Sequence, residues 1–309
     1  MPIRHSYQTA TADDPGSEVS ASEWNADHQI TDSVDFPVIT SAPSGATDVL
    51  KLFAQRRANR SLLRQVGQNG IDVTLQPAFF GNSIGMWLPS TGTTIGVFGL
   101  AAVTALNSGT SAAVSTPTVG TGSDIASMRR FAFGTGTTAT GTSGARDASA
   151  HFFRGNAAGR GGFFQFARFA VETFASDIRV ILGLTNNTAA LAGDPSALVN
   201  MCGIGKDSAD ANWQFMHNDG SGTATKSNTG VAVNATDILD FFMFAPPNGT
   251  TIDFELRNAM TGAQLATYQA TTDLPVNSTT MVQRAGIMSV SGTTAKLLSV
   301  NRMYIETDL

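Results

Sequence analysis

The sequence has one cysteine, Cys202, in 309 residues. This excludes an intrachain disulfide framework and any zinc site built on thiolates, and the residue itself reads as a small buried apolar side chain. Charge is scarce as well: Asp, Glu, Lys and Arg make up 14% of the chain, against about 25% in ordinary soluble domains. The longest basic run is Arg56-Arg57 and the net charge is −5. The sequence therefore offers no basic surface for nucleic acid and avoids anionic membranes. The four histidines, His5, His28, His151 and His217, never stand at i, i+4 or beside a carboxylate cluster, so neither a metal nor any other cofactor is expected. No run of about eighteen apolar residues occurs and Met1–Ala10 is polar. Synthesis in a cytoplasm without an export signal is the expectation.

What the chain does have is 31 glycines, much Ser and Thr, and a hydrophobic content of 42%, a composition suited to short strands and many turns around a sizeable core. The most apolar stretch is Gly161–Phe169 with its sequel Ile178–Leu184, read as the centre of that core. Ile178, Val180, Leu182 and Leu184 alternate as a strand does, and Thr173–Asp177 turns the chain between the two runs. Phe163, Phe166, Ala170 and Phe174 would also line a helix face. The strand reading is preferred, with a bulge near Ala167 to account for an apparent change of phase.

Residues 1–47 have too few apolar side chains for a core of their own and read as an arm and linker, punctuated by Pro37, Pro43 and Gly45. Residues 48–78 read as strand, connection and hairpin, with the turn at Gln68-Asn69-Gly70. The arginines Arg56, Arg57, Arg60 and Arg64 suggest a solvated face or subunit contacts. Residues 79–309 hold the main domain. Ile95–Ala105 and Arg129–Phe133 read as strands, and Ser108–Ser127 and Gly134–Ser149 as long loops with short edge strands. Trp213, Phe215 and His217 share a strand face closed by the turn Asn218-Asp219-Gly220. Ile238–Phe244 reads as a strand buried on both faces. Ile252–Arg257 alternates, which places Asp253, Glu255 and Arg257 in solvent. Met281–Val290 and Lys296–Thr307 read as a last pair joined at Ser291-Gly292. The expected fold is all-β, an antiparallel β-sandwich of jelly-roll or concanavalin-like type preceded by a short N-terminal arm.

Catalytic chemistry is hard to find. Gly81-Asn82-Ser83-Ile84-Gly85 matches the G-x-S-x-G pattern, but Trp87–Gly92 reads as strand end and turn where a nucleophile elbow needs a helix. Gly203-Ile204-Gly205-Lys206 lacks the first glycine and the hydroxyl residue of a phosphate loop and reads as a turn. Asp207, Asp210, Asn212 and Asp219 are oxygen-rich but lack the spacing of a known calcium loop. Glu172, Asp177, Asp194, Asp240, Asp253 and Glu255 supply carboxylates, and only a facing pair would give glycosidase chemistry. No catalytic residue is assigned, and the chain is expected not to be an enzyme. For a ligand pocket, Trp213, His217, Asn218 and Asp219 combine aromatic faces with short polar groups; burial of Trp213 in the core is the competing reading, and Trp87 carries the same ambiguity.

Val19-Ser20-Ala21-Ser22-Glu23-Trp24-Asn25-Ala26-Asp27-His28 resembles the V-x-x-S-x-W-N-x-x-H signature near the start of many tailed-bacteriophage tail and fibre proteins. The run Arg154–Phe164, the blocks Asn212–Met216 and Phe244–Asn248, and Tyr304–Thr307 are similar to the β-rich distal parts of such fibres. The resemblance implies a virion protein whose arm docks on other virion proteins through Trp24, Asn25 and His28. It further implies a sandwich that contacts a host surface glycan or protein, and a homotrimer. A locally capped helix turn is the alternative for the arm. A capsid-decorating head fibre or collar protein, and a glycan depolymerase, are the alternatives for the whole chain.

Overall fold

The computed structural model describes residues 35–46, 49–66, 72–74, 82–100, 102–157 and 160–308. The arm motif with Trp24, Asn25 and His28 lies outside them. Residues 38–309 form one compact unit, built almost wholly of strands numbered here along the chain. β1 (Lys51–Arg57), β2 (Arg60–Val66) and β3 (Asp72–Thr74) make a small antiparallel sheet. The larger of the two main sheets runs in the order β17 (Gln264–Ala270), β16 (Ile252–Asn258), β15 (Leu239–Ala245), β10 (Gly161–Thr173), β19 (Leu297–Asp308), β4 (Asn82–Pro89) and β5 (Ile95–Phe98). β8 (Phe131–Gly134) pairs with β19, and β7 (Ala113–Ser115) with β8, which makes nine strands in all. The second sheet has seven: β14 (Thr225–Ala232), β13 (Asn212–Asn218), β12 (Met201–Lys206), β11 (Arg179–Thr185), β18 (Val282–Met288), β9 (Thr142–Asp147) and β6 (Val103–Ala105). The strands of both sheets pair antiparallel.

The inner faces meet in one core, as the alternation predicts. From the nine-stranded sheet come Trp87, Phe131, Phe133, Phe163, Phe169, Phe241 and Phe254; from the other come Val180, Leu182, Leu184, Ile204, Trp213, Phe215 and Ile287. Cys202 lies fully buried among them, and burial pushes its thiol pKa up. Phe169 and Trp213 meet edge to face across the gap, centroids 5.1 Å apart. A polar link also crosses it: the Trp87 indole Nε1 donates to Asp147 Oδ1 at 2.8 Å, and the Gln283 amide donates to Oδ2 at 3.0 Å.

Several local readings change. β10 is a strand, but its alternation runs unbroken from Phe163 to Phe169; the irregularity opposite Arg168 and Phe169 belongs to β19, where Asn301 is the extra residue. At that point β19 exchanges β4 for β8 as its neighbour. The connection after β1 is a two-residue turn at Ala58 and Asn59, both with positive φ (43° and 62°), pairing Arg57 with Arg60; Asn59 was its only clue. Ile95–Ala105 breaks at Gly99 into two strands in opposite sheets. Gly134–Ser149 conceals β9, whose Ser, Gly and Ala carry no apolar signal. A Cβ at Gly144 would lie 2.7 Å from the Ala285 carbonyl oxygen, so only glycine admits this approach. Gly203–Lys206 is strand β12 rather than a turn. The last two strands, β18 and β19, belong to different sheets and do not pair.

Candidate functional site

The β1–β2 hairpin lies against the outer face of the nine-stranded sheet, and the open part of that contact is a cleft of about 830 Å³. The register of the sheet explains its lining. One row across the strands reads Arg257, Asp240, Arg168, Arg302 on β16, β15, β10 and β19. The next row on the same face reads Glu255, Phe242, Phe166, Tyr304, Met86, and the one beyond it Asp253, Phe244, Phe164, Glu306, Ile84. Charged, aromatic and mixed rows thus succeed one another because residues two apart on every strand share a face.

The hairpin arginines cover the aromatic rows. Arg57 lies 5.7 Å above the Phe242 ring and Arg60 4.9 Å above Phe164, while Arg60 also pairs with the buried Glu306. Ala58 N donates to Glu255 Oε2 at 2.7 Å, anchoring the strained turn. Arg56, Arg57, Arg60 and Arg64 therefore do not form one face: three turn toward the sandwich or their own hairpin, and Arg56 is exposed. Asp253 and Glu255, expected in solvent, are buried at 8% and 4% exposure, Glu255 beneath the hairpin and Asp253 accepting from Gln269 Nε2 at 2.8 Å. The sequence showed their alternation but not what covers them.

Arginines dominate the cleft. Arg57, Arg64, Arg168, Arg257 and Arg302 line it against two carboxylates, Asp240 and Glu306, in a chain whose net charge is −5. Arg168 grips Asp240 with two bonds of 2.7 Å. That hydrogen bonding raises the Arg168 pKa, and burial opposes it. Burial, and next the charge of Arg168, lower that of Arg302, while Asp240 raises it. The Tyr304 hydroxyl donates to Glu306; burial first and then this bond raise its pKa.

Elsewhere the expected site residues serve structure. Trp213 is in the core. His217 is fully buried, stacked beside Phe254 and Tyr268; its Nδ1 donates to the Asp273 carbonyl (3.0 Å), which leaves Nε2 to accept from Tyr268 (3.3 Å). Asn218 Nδ2 donates to the Leu198 carbonyl at 2.8 Å, and Asp219 Oδ1 accepts from Ser221 N at 2.8 Å. These four residues build a turn and its support and line neither cavity. Between Asp207 and Asp210 sits the Lys226 ammonium, 2.9 and 2.8 Å from their oxygens. Arg154 binds the carbonyls of Pro275 (2.8 Å) and Gly249 (2.6 Å).

A second cavity, about 590 Å³, contains Ser83 of the G-x-S-x-G pattern together with His151 and Arg160. Ser83 lies on strand β4 and no hydrogen bond joins it to His151, so the nucleophile and base geometry is not formed. The carboxylates are engaged singly. Burial raises the pKa values of Glu172 and Asp194, but bonds from Arg130 and Ser299 to the first, and from Ser208 and Arg179 to the second, hold both below the usual range. That is opposite to what a general acid needs. Burial does push Asp147 up to about 7, but it lies in the core beside Trp87.

No family model matches the chain, and no curated protein matches it either. Among solved structures it is similar to a protein of unknown function from Shewanella oneidensis MR-1, with a TM-score of 0.50 and 13% identity over 74% of this chain and 87% of that one. It is also similar to arcelin-5, a lectin-like defence protein from Phaseolus vulgaris (TM-score 0.45, 8% identity, 74% and 99% covered). A third is lectin II from Ulex europaeus (TM-score 0.42, 12% identity, 67% and 93% covered). At these identities the likeness is one of fold.

Proposed function

We propose that this chain is a non-enzymatic structural protein of a tailed-bacteriophage virion, a tail fibre or tail-tip appendage. Its N-terminal arm docks on the particle and its sandwich contacts the host surface. The observation that carries the contact role is the arginine and aromatic cleft: a half-open, preformed hollow with apolar faces and a few oriented polar groups is what a binding site requires. The arm signature at Val19–His28 supports the virion assignment. A homotrimer accords with the apolar side chains on the hairpin's outer side, where Leu50, Leu52 and Leu63 are 62%, 45% and 37% exposed. Copies held together on one particle turn weak contacts into avid attachment.

The test is binding of the fluorescently labelled full chain to cells of the bacterium its phage infects, with the supernatant assayed for released sugars. Saturable binding without release supports attachment. Release of oligosaccharides would make it a depolymerase. Absence of binding, with the protein located on the phage head by immunogold labelling, would favour the head-fibre or collar alternative.

A further inference from the structure

The charged row under the cleft is unbalanced, and the imbalance is local. Three guanidinium groups stand beside one carboxylate across four adjacent strands. Both oxygens of Asp240 are taken by Arg168. Arg257 is held by Glu255 and by the Gly262 carbonyl at 2.6 Å. Arg302 is different. It is exposed, its Nε donates to Asn301 Oδ1 at 2.9 Å, and its terminal nitrogens form no ion pair among the described residues. It lines the cleft with the two terminal nitrogens of its planar fork unengaged, next to a second cation whose charge an incoming anion would relieve.

The adjoining row supplies the other half of a site. Phe166 and Tyr304 are half-buried and line the same cleft, one rung from Arg168 and Arg302. Rungs on one face are roughly 7 Å apart, about the span from one edge of a sugar ring to a substituent on the other. A carboxylate attached directly to a pyranose would reach the fork while the ring's C–H face rests on the aromatics. Arg168 and Asp240 already display the two-bond pairing on which such recognition depends.

On the premise that the cleft is the attachment site, we propose that it takes a carboxylated sugar, a uronic or sialic-type residue within a glycan. The carboxylate binds Arg302 and the ring packs on Phe166 and Tyr304. Neutral sugars lack the group that Arg302 requires. A phosphorylated sugar carries its charge further out, beyond a bridging oxygen, and as a tetrahedral group.

The test is titration calorimetry of the full chain with 3′-sialyllactose and with a glucuronate-containing disaccharide, against lactose and glucose 6-phosphate. Carboxylated probes are expected to bind at least tenfold more tightly than lactose. Arg302→Ala should erase that difference, Arg302→Lys should keep part of it, and raising the salt from 50 to 500 mM should weaken binding severalfold. Asp240→Asn, which frees the Arg168 fork, should tighten binding, a gain that structural damage would not produce. Equal affinity for sialyllactose and lactose, an unaltered Arg302→Ala, or tighter binding of glucose 6-phosphate would each overturn the assignment. The same variants are carried through the cell-binding assay. If labelled wild type binds cells while no carboxylated probe binds the cleft, the sugar assignment falls and attachment stands. If the probes bind but cells do not, attachment falls.

Discussion

The two outer faces of the sandwich are finished in opposite ways. On the seven-stranded sheet the chain closes its own surface: Ile181, Met201, Met216 and Met288 pack with Leu191, Leu198 and Ala224 into a second small apolar cluster under the loop that follows β11. Charges there are neutralised locally. Lys226 sits between Asp207 and Asp210. The nine-stranded sheet instead carries rows of arginines and aromatics, covered by a hairpin that leaves a cleft beside it. The seven-stranded face holds its charges on groups of its own, with Arg146 and Arg284 on carbonyl and amide oxygens rather than carboxylates, although the buried Arg284 Nε has no partner. The other keeps an exposed arginine, Arg302, whose terminal nitrogens bond nothing among the described residues and are left to water or a ligand.

That contrast can be broken in graded steps. Both faces rest on one core, so Trp213→Ala should lower unfolding free energy by up to about 5 kcal/mol in denaturant titration; a loss below about 1 kcal/mol would mean the sheets do not share it. The link between the sheets should respond to pH. Asp147 has a folded pKa of about 7, raised by burial from 3.8. The folded state therefore holds this proton where the unfolded state has released it. Its stabilisation is complete below about 3.8 and is lost as the pH rises through about 7, a swing of roughly 4 kcal/mol. Asp147→Asn should flatten that slope in unfolding curves collected from pH 4 to 8. Arg60→Ala leaves the buried Glu306 without its guanidinium, and should cost about 2 kcal/mol. It should also speed amide exchange in β1 and β2, with little change in the seven-stranded sheet. On the closed face, Lys226→Ala should cost about 1 kcal/mol, read as a shift in melting temperature. Arg302→Ala should stay within about 0.5 kcal/mol of wild type, and a larger loss would make Arg302 a structural residue like the others.

The sequence was most legible where alternation and burial agree. Ile178–Leu184 was readable as a core strand because its apolar side chains recur at the strand period, and Ile238–Phe244 because it is a short, nearly unbroken apolar run. β9 was not, since Thr142–Asp147 has no such side chain and earns its interior place by letting neighbouring backbones approach. The cleft was legible only in fragments. Asp253 and Glu255 showed the right period, but nothing local announces a hairpin from about two hundred residues earlier lying over Glu255, or Gln269 bonding Asp253. The row Arg257, Asp240, Arg168, Arg302 is scattered over four strands and becomes a row only through their register. Trp213 and His217 drew attention by residue type, which does not distinguish a side chain that binds from one that packs.

β19 follows in the chain every strand it touches, yet it lies between β10 and β4 and also carries β8. The N-terminal strands of the nine-stranded sheet therefore pair only among themselves, β4 with β5 and β7 with β8, and their joining to the rest waits on contacts that run from Asn82 to Asp308 and from Phe131 to Val300. Closing such distant contacts is the slow part of assembling a β-fold. Until β19 is in place the rows lack Arg302, Tyr304 and Glu306, which it carries into the cleft lining. The cleft is thus complete only when the last strand of the chain is in place.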